Sequence, residues 1–275
     1  VEDQEKTEIY GNSLARHEVS LLVNHRTPAR VVVLSGPSHV GKYLYLSRLL
    51  SDAVSETDLS VAETTVDGIR EAREFLQSGP LFSPFKAVLV DNADFLTEPA
   101  QDALLKLLEE PPAHCRVFLV LEDEGCLLPA LQNRLENIIR WTPLSESEMH
   151  EYASTVHRLD DNAIMMSRGR PGFYGLFLND QRYHSFCKLC VQIMLGQVDP
   201  VQIPVPELIS SLKSGRSVER DAICHTISVA VSELRSNSGV VSMMRNFLRL
   251  ASDLFKNPSL NAEIHWYRAC LNRHH

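Results

Sequence analysis

Residues 85–112 read FKAVLVDNADFLTEPAQDALLKLLEEPP, and their pattern decides the fold. Ala87-Val88-Leu89-Val90 is a short, β-branched apolar run that stops at Asp91, which predicts a strand buried on both faces of a parallel sheet rather than a helix. Asp91 then stands at the carboxyl end of that strand, the edge where open α/β sheets bind ligands. Following a phosphate-binding loop, a carboxylate at that place is the expected second ligand shell of a bound Mg²⁺. The second half predicts a helix. Thr97 caps it, Glu98 and Asp102 favour the positive end of its dipole, Leu104, Leu107 and Leu108 share one face, and Pro111-Pro112 stop it.

Upstream, Val31-Val32-Val33-Leu34 reads as a second buried strand running into Gly36-Pro37-Ser38-His39-Val40-Gly41-Lys42, after which Leu44, Leu46, Leu49 and Leu50 suggest a helix. Strand, G-x-x-x-x-G-K and helix in that order is the context a phosphate loop requires. The two glycines let backbone N–H groups turn toward phosphate oxygens, the helix N-terminus adds partial positive charge, and Lys42 can reach the β- and γ-phosphates. The following position calls for Ser or Thr, whose hydroxyl binds Mg²⁺. Tyr43 stands there instead, and a phenol is too long and rigid to replace that ligand.

Outward from these two strands, Ser13–Asn24 suits a helix, Leu59–Thr65 a third strand, Val66–Leu76 a helix with Ile69, Ala72, Phe75 and Leu76 on one face, and Arg116–Leu121 a further buried strand. Strands separated by helices imply an α/β fold with a doubly wound parallel sheet. From Trp141-Thr142-Pro143 onward the strand signals stop. Ser145–Glu148 opens one helix, Asp160–Ser167 forms another, and Gly169-Arg170-Pro171-Gly172 turns into Phe173–Leu178. Helical patterns then dominate, with boundaries near 143 and 181.

A chain of 275 residues leads us to expect two or three domains. A net charge of −8 argues against a protein that grips nucleic acid unaided, since such proteins carry a basic surplus. Cys115, Cys126, Cys187, Cys190, Cys224 and Cys270 show no framework spacing, which suits a reducing, cytoplasmic setting. No signal-peptide core and no apolar run of membrane-spanning length is seen, so we expect neither secretion nor a membrane span. Cys187-x-x-Cys190, with His184 nearby, could suggest zinc. Phe186, Cys187, Cys190, Ile193 and Met194 fall at helical spacing, however, so the pair reads as one apolar face and we expect no metal site.

Several strings resemble the clamp-loader branch of the AAA+ proteins, most closely the delta-prime subunits of bacterial DNA polymerase III. They are Val66-Asp67-x-Ile69-Arg70, Val90-Asp91-x-Ala93-Asp94, Ala103-Leu104-Leu105-Lys106-x-Leu108-Glu109-Glu110-Pro111-Pro112 and Leu127-Leu128-Pro129-Ala130-Leu131-x-x-Arg134, with a weaker Asn257-Pro258-x-Leu260 near the end. The resemblance implies an AAA+ P-loop α/β domain over 1–143, a small helical lid domain over 144–181 and a helical collar, the oligomerisation domain, over 182–275. The second stretch of interest, residues 36–43, would be a nucleotide site, with Asp91 and Asn92 opposite.

Departures from the family pattern are as telling. Members that hydrolyse ATP carry Glu after the strand Asp, where this chain has Asn92. They carry a small polar sensor after the next strand, where Glu122, Asp123 and Glu124 would tend to repel a γ-phosphate. They also carry an Arg that aligns with Gly172. The resemblance therefore implies a subunit that does not hydrolyse ATP itself, with ATP or ADP bound without turnover if at all and Mg²⁺ only weakly. Arg134 would act as an arginine finger in a neighbour's site. The implied partners are other clamp-loader subunits in a hetero-oligomer, a sliding clamp and, through the assembly, primer–template DNA, with no membrane. Two rival readings are an autonomous ATPase, which Tyr43 and Asn92 oppose, and a nucleotide-independent adaptor for a helicase or polymerase.

Overall fold

A computed structural model describes residues 9–24, 29–156 and 158–181, with residues 185 and 192. The expected collar over 182–275, with Cys187, Cys190 and the Asn257-Pro258 string, lies outside the described residues. By internal contacts the chain forms two units: one holds the chain through Val156 together with Gly169–Pro171, and the other holds residues 158–168 and the chain from Gly172.

In the first unit, helix α1 (Ser13–Asn24) precedes strand β1 (Val31–Ser35) and helix α2 (Lys42–Ala53). Strand β2 (Leu59–Ala62), helix α3 (Val66–Gln77), strand β3 (Lys86–Val90) and helix α4 (Glu98–Glu109) follow. Strand β4 (Cys115–Leu121), the short helix α5 (Pro129–Gln132), strand β5 (Ile138–Arg140) and helix α6 (Glu146–Thr155) complete it. The five strands pair in the order β2-β3-β4-β1-β5, every pair parallel.

The apolar runs behave as their composition requires. Every residue of β1, β3 and β4 is buried. Alternate residues serve opposite faces: Val31, Val33, Val88, Val90, Val117 and Leu119 pack with Ile69 and Leu76 of α3 and Leu104 and Leu107 of α4. Val32, Leu34, Ala87, Leu89, Phe118 and Val120 pack with Val19 and Val23 of α1 and Leu46 and Leu50 of α2. At about 1.5–3 kcal/mol for each large apolar side chain fully removed from water, these two layers are the principal favourable term of the unit. The strand bases also carry cations that finish helices. Lys86 Nζ donates to Phe75 O of α3 at 2.8 Å, and Arg116 donates to Val23 O of α1 at 2.6 Å, where the carbonyl end of the dipole favours positive charge.

Three local expectations change. Strand β2 ends at Ala62 rather than Thr65, because Thr65 leaves the sheet to cap α3, its hydroxyl oxygen accepting from Gly68 N at 3.0 Å. Thr97 does occupy the cap position of α4, but its side chain makes no capping bond. Strand β5, not among the expected strands, adds a short edge to the sheet just before Trp141, where the strand signals stop.

The buried carboxylate of Asp58 organises the loop between α3 and β3. It accepts from the N–H groups of Leu81, Phe82 and Ser83 at 2.8–2.9 Å and from Ser55 Oγ at 3.1 Å. Burial alone would raise its pKa, but these donors outweigh it and hold the group far below the usual carboxylate range.

Helix α6 opens with the capping box that Ser145 and Glu148 announce. In the second unit, Asp160 caps α7 (Asp161–Ser167) by accepting from Ala163 N at 3.0 Å. Helix α8 runs Pro171–Asn179, so Gly172 is not in a turn before the helix but in its first turn, after Pro171. Among the described residues, no helix is long and apolar enough to cross a membrane.

Candidate functional site

Three strand ends meet at the carboxyl edge of the sheet: β1 leads into residues 36–42, β3 into Asp91 and β4 into Glu122–Glu124, with β4 lying between β3 and β1. This crevice is where an open α/β sheet binds ligands. Residues 36–42 take the expected path from strand to helix. Gly36, His39 and Gly41 have φ of 149°, 61° and 93°, and Gly41 is the residue before the first turn of α2. Such alternation is the backbone of an anion cradle.

Trp141, just past β5, braces this loop. Its N–H donates to Ser35 O at 2.7 Å and its indole Nε1 to Val40 O at 3.1 Å, and its ring lies 5.4 Å from that of Tyr45. A Cβ added at Gly36 would lie 2.0 Å from Trp141 O, so only glycine fits the close approach.

Lys42 opens α2 and is buried, but its ammonium is turned onto its own loop, donating to Gly36 O and, at 2.6 Å, to Pro37 O. Ser38 is half-buried in the loop, and Tyr43 is exposed on the first turn of α2. Asp91 is half-buried. Its desolvation pushes the pKa up, partly offset by the Asn92 N–H and the Lys42 charge, while Asp94 adds to the rise. Asn92, in left-handed backbone and exposed, donates its side-chain amide to Asp91 Oδ2 at 2.9 Å. The loop backbone and Lys42 are the groups that would hold a phosphate chain, and Lys42 is here engaged by its own loop carbonyls. The Mg²⁺ site does not fit: Tyr43 supplies no short hydroxyl, Asp91 is engaged by Asn92, and no cluster of metal-ligating side chains occurs among the described residues.

The acidic stretch after β4 is not the bare repulsive patch expected from its composition. Asp94 accepts from Glu122 N at 2.8 Å and Asp123 N at 3.1 Å, and Asp123 caps the next turn through Gly125 N at 2.9 Å. Glu124 is paired. It accepts from Ser35 Oγ at 2.7 Å and Arg140 Nη1 at 2.9 Å, and a second Arg140 nitrogen meets its other oxygen.

Arg134 is not part of this crevice. It follows α5, whose approach is fixed by buried Gln101 on α4, whose side-chain oxygen accepts from Leu128 N at 2.6 Å. Arg134 is exposed and lies 3.4 Å from Glu109, in the Leu-Glu-Glu-Pro-Pro string. Gln101 and Arg140 went unnoticed in the sequence, and Asp94 and Trp141 were seen only within a string and at a boundary, because each acts through a partner distant along the chain.

Comparison with known proteins agrees with the strings. A family model described as DNA polymerase III, delta subunit, matches residues 47–143, a span that includes Asp91, Asn92 and Arg134 but begins after Lys42. The Escherichia coli DNA polymerase III subunit delta′ is 42% identical over 111 residues, 39% of this chain and 33% of that protein. The Replication factor C small subunit of Methanococcus maripaludis is 30% identical over 129 residues, 44% of this chain and 41% of that protein. The chain thus spans about two fifths or less of the length of these relatives. Among solved structures, the Thermotoga maritima RuvB Holliday junction branch migration motor shares the fold, with a TM-score of 0.50 and 18% identity, over 97% of this chain and 90% of that one. Sheet, loop and matched strings together make this chain similar to clamp-loader AAA+ proteins over its α/β region, with delta-prime among those it resembles.

Proposed function

We propose that this chain is a delta-prime-like subunit of a sliding-clamp loader that does not hydrolyse ATP itself and lends Arg134 to the ATP site of a neighbouring subunit. The observation that carries the first half is the state of the crevice: a phosphate loop intact in backbone, with its lysine bound to its own carbonyls and both Tyr43 and Asn92 unsuited to their places. Phosphoryl transfer is catalysed by positioning and by charge stabilisation, and this crevice lacks the metal-binding hydroxyl and the water-orienting carboxylate.

Arg134 suits the second half. A guanidinium is always charged and bridges two phosphate oxygens, stabilising charge that spreads onto them in the transition state. Its pairing with Glu109 joins side chains 53% and 43% exposed, and such surface pairs are worth only about 0–1 kcal/mol, so a neighbour's phosphate could draw Arg134 away at small cost. In the full reading, residues 144–181 form a lid, residues 182–275 form the collar that joins the hetero-oligomer, and the assembly acts in the cytoplasm on a sliding clamp at primed DNA.

The pure chain is expected to show no steady-state ATP turnover above buffer, with Lys42→Ala making no difference. Turnover that Lys42→Ala abolishes would sink the reading and favour an autonomous ATPase.

A further inference from the structure

The carboxyl edge of the sheet holds an anion of its own. Ser35 is the last residue of β1, directly before the phosphate loop, and Arg140 is its register partner on β5. Glu124, just past β4, brings its carboxylate to both, taking the Ser35 hydroxyl and the forked donors of Arg140, while Arg140 Nη1 also donates to Ser35 Oγ at 3.1 Å. A hydroxyl and a guanidinium converging beside a phosphate loop are the donors an incoming phosphate would use, and a side-chain carboxylate already fills them. Four further bonds surround this arrangement. Asp94 pins the backbone of Glu122 and Asp123, which restricts where Glu124 can go, and Lys42 is drawn onto Gly36 O and Pro37 O.

We infer that Glu124 is a tethered anion that latches the phosphate site shut, so that a phosphoanhydride ligand, a nucleoside diphosphate or pyrophosphate, binds only after Glu124 is displaced from Ser35 and Arg140. The latch deepens the reading of this chain as a non-hydrolysing subunit, on which it rests, by giving the closed site a specific cause. Burial would raise the Glu124 pKa, but the bonds from Ser35 and Arg140 and the Arg140 charge overcome it and keep the group ionised. The carboxylate is therefore a standing charge, and its removal should matter more than its shape.

The test is calorimetric titration of the full chain with ADP, comparing wild type with Glu124→Gln, which keeps the acceptor for Ser35 and loses the charge. A like charge a few ångströms away weakens anion binding about tenfold or more near a protein surface, so Glu124→Gln should bind ADP at least that much tighter, pyrophosphate should compete, and adding Lys42→Ala should remove the gain. A folded Glu124→Gln chain with wild-type ADP affinity overturns the latch, as does ADP binding that pyrophosphate cannot displace. If Glu124→Gln fails to fold, Arg140→Lys serves instead: it keeps the positive charge but loses the fork, and a several-fold gain in ADP affinity is expected, while no gain overturns the proposal. Failure of the latch leaves the non-hydrolysing reading standing. That reading fails on a different result, ATP turnover by the wild-type chain.

Discussion

Replacing Arg134 by alanine in a reconstituted, intact assembly is expected to depress DNA- and clamp-stimulated ATPase sharply while leaving the isolated chain unchanged. Arginine fingers contribute about 10³ to 10⁵ in rate at the site they serve, by stabilising transition-state charge that no neutral side chain can match. The loss measured for a whole ring is smaller, because sites served by other subunits continue to turn over. Arg134 has no role in the core: it is exposed and touches Glu109 at 3.4 Å, so its truncation should leave the thermal stability of this chain near wild type. Glu109→Ala supplies the control, since it removes the in-cis partner and should leave stimulated ATPase intact or slightly raised. Wild-type stimulation in an intact Arg134→Ala assembly would return Arg134 to an ordinary solvated side chain and favour the adaptor reading.

The second large effect is structural. Trp141→Ala is expected to destabilise the first unit by about 3–5 kcal/mol, the range for truncating a large buried aromatic. Trp141 is 1% exposed, and its indole is both a core element beside Tyr45 and the donor to Val40 O in the phosphate loop. Truncation therefore opens a cavity and also leaves a loop carbonyl without its partner, so the loss should exceed that of a purely apolar site of equal volume. Urea denaturation followed by far-ultraviolet circular dichroism reads it from the midpoint. Trp141→Phe should recover most of the packing but not the hydrogen bond. A midpoint for Trp141→Ala within error of wild type would show that the loop does not depend on this brace.

What the sequence disclosed and what it withheld divide along one line, the distance over which a residue's partner lies. The runs at Val31–Leu34, Ala87–Val90 and Arg116–Leu121 carry their burial in their own composition, and all are buried strands in the sheet. The leucine face of α4 and the capping box of α6 are equally local, because helical neighbours are set by spacing. The three residues of β5 contain one buried side chain, Ile139, too little pattern to read, and only pairing with β1 makes them a strand. Thr97 had the right chemistry for a cap and does not use its hydroxyl, since local propensity is only a weak guide.

The candidate site divides the same way. The glycines and Lys42 could be read from a motif, as could the unsuitability of Tyr43 and Asn92. The placement of Glu124 could not. Its pairing with Arg140 depends on the register that sets Ser35 opposite Arg140, information that belongs to the sheet and not to either stretch of chain. Composition shows three carboxylates that would repel a γ-phosphate, and it does not show that one of them pairs with Arg140 and Ser35.

The central claim is that this chain works as one subunit of a larger ring. It is tested most directly by native mass measurement of the complex that the tagged full-length chain draws from its own cells. The account predicts a hetero-oligomer in which this chain accompanies AAA+ subunits that carry the Ser or Thr after the phosphate-loop lysine and the Glu after the strand Asp, and in which the isolated chain contributes no ATPase of its own. A chain recovered alone, or as a homo-oligomer that hydrolyses ATP, would contradict it.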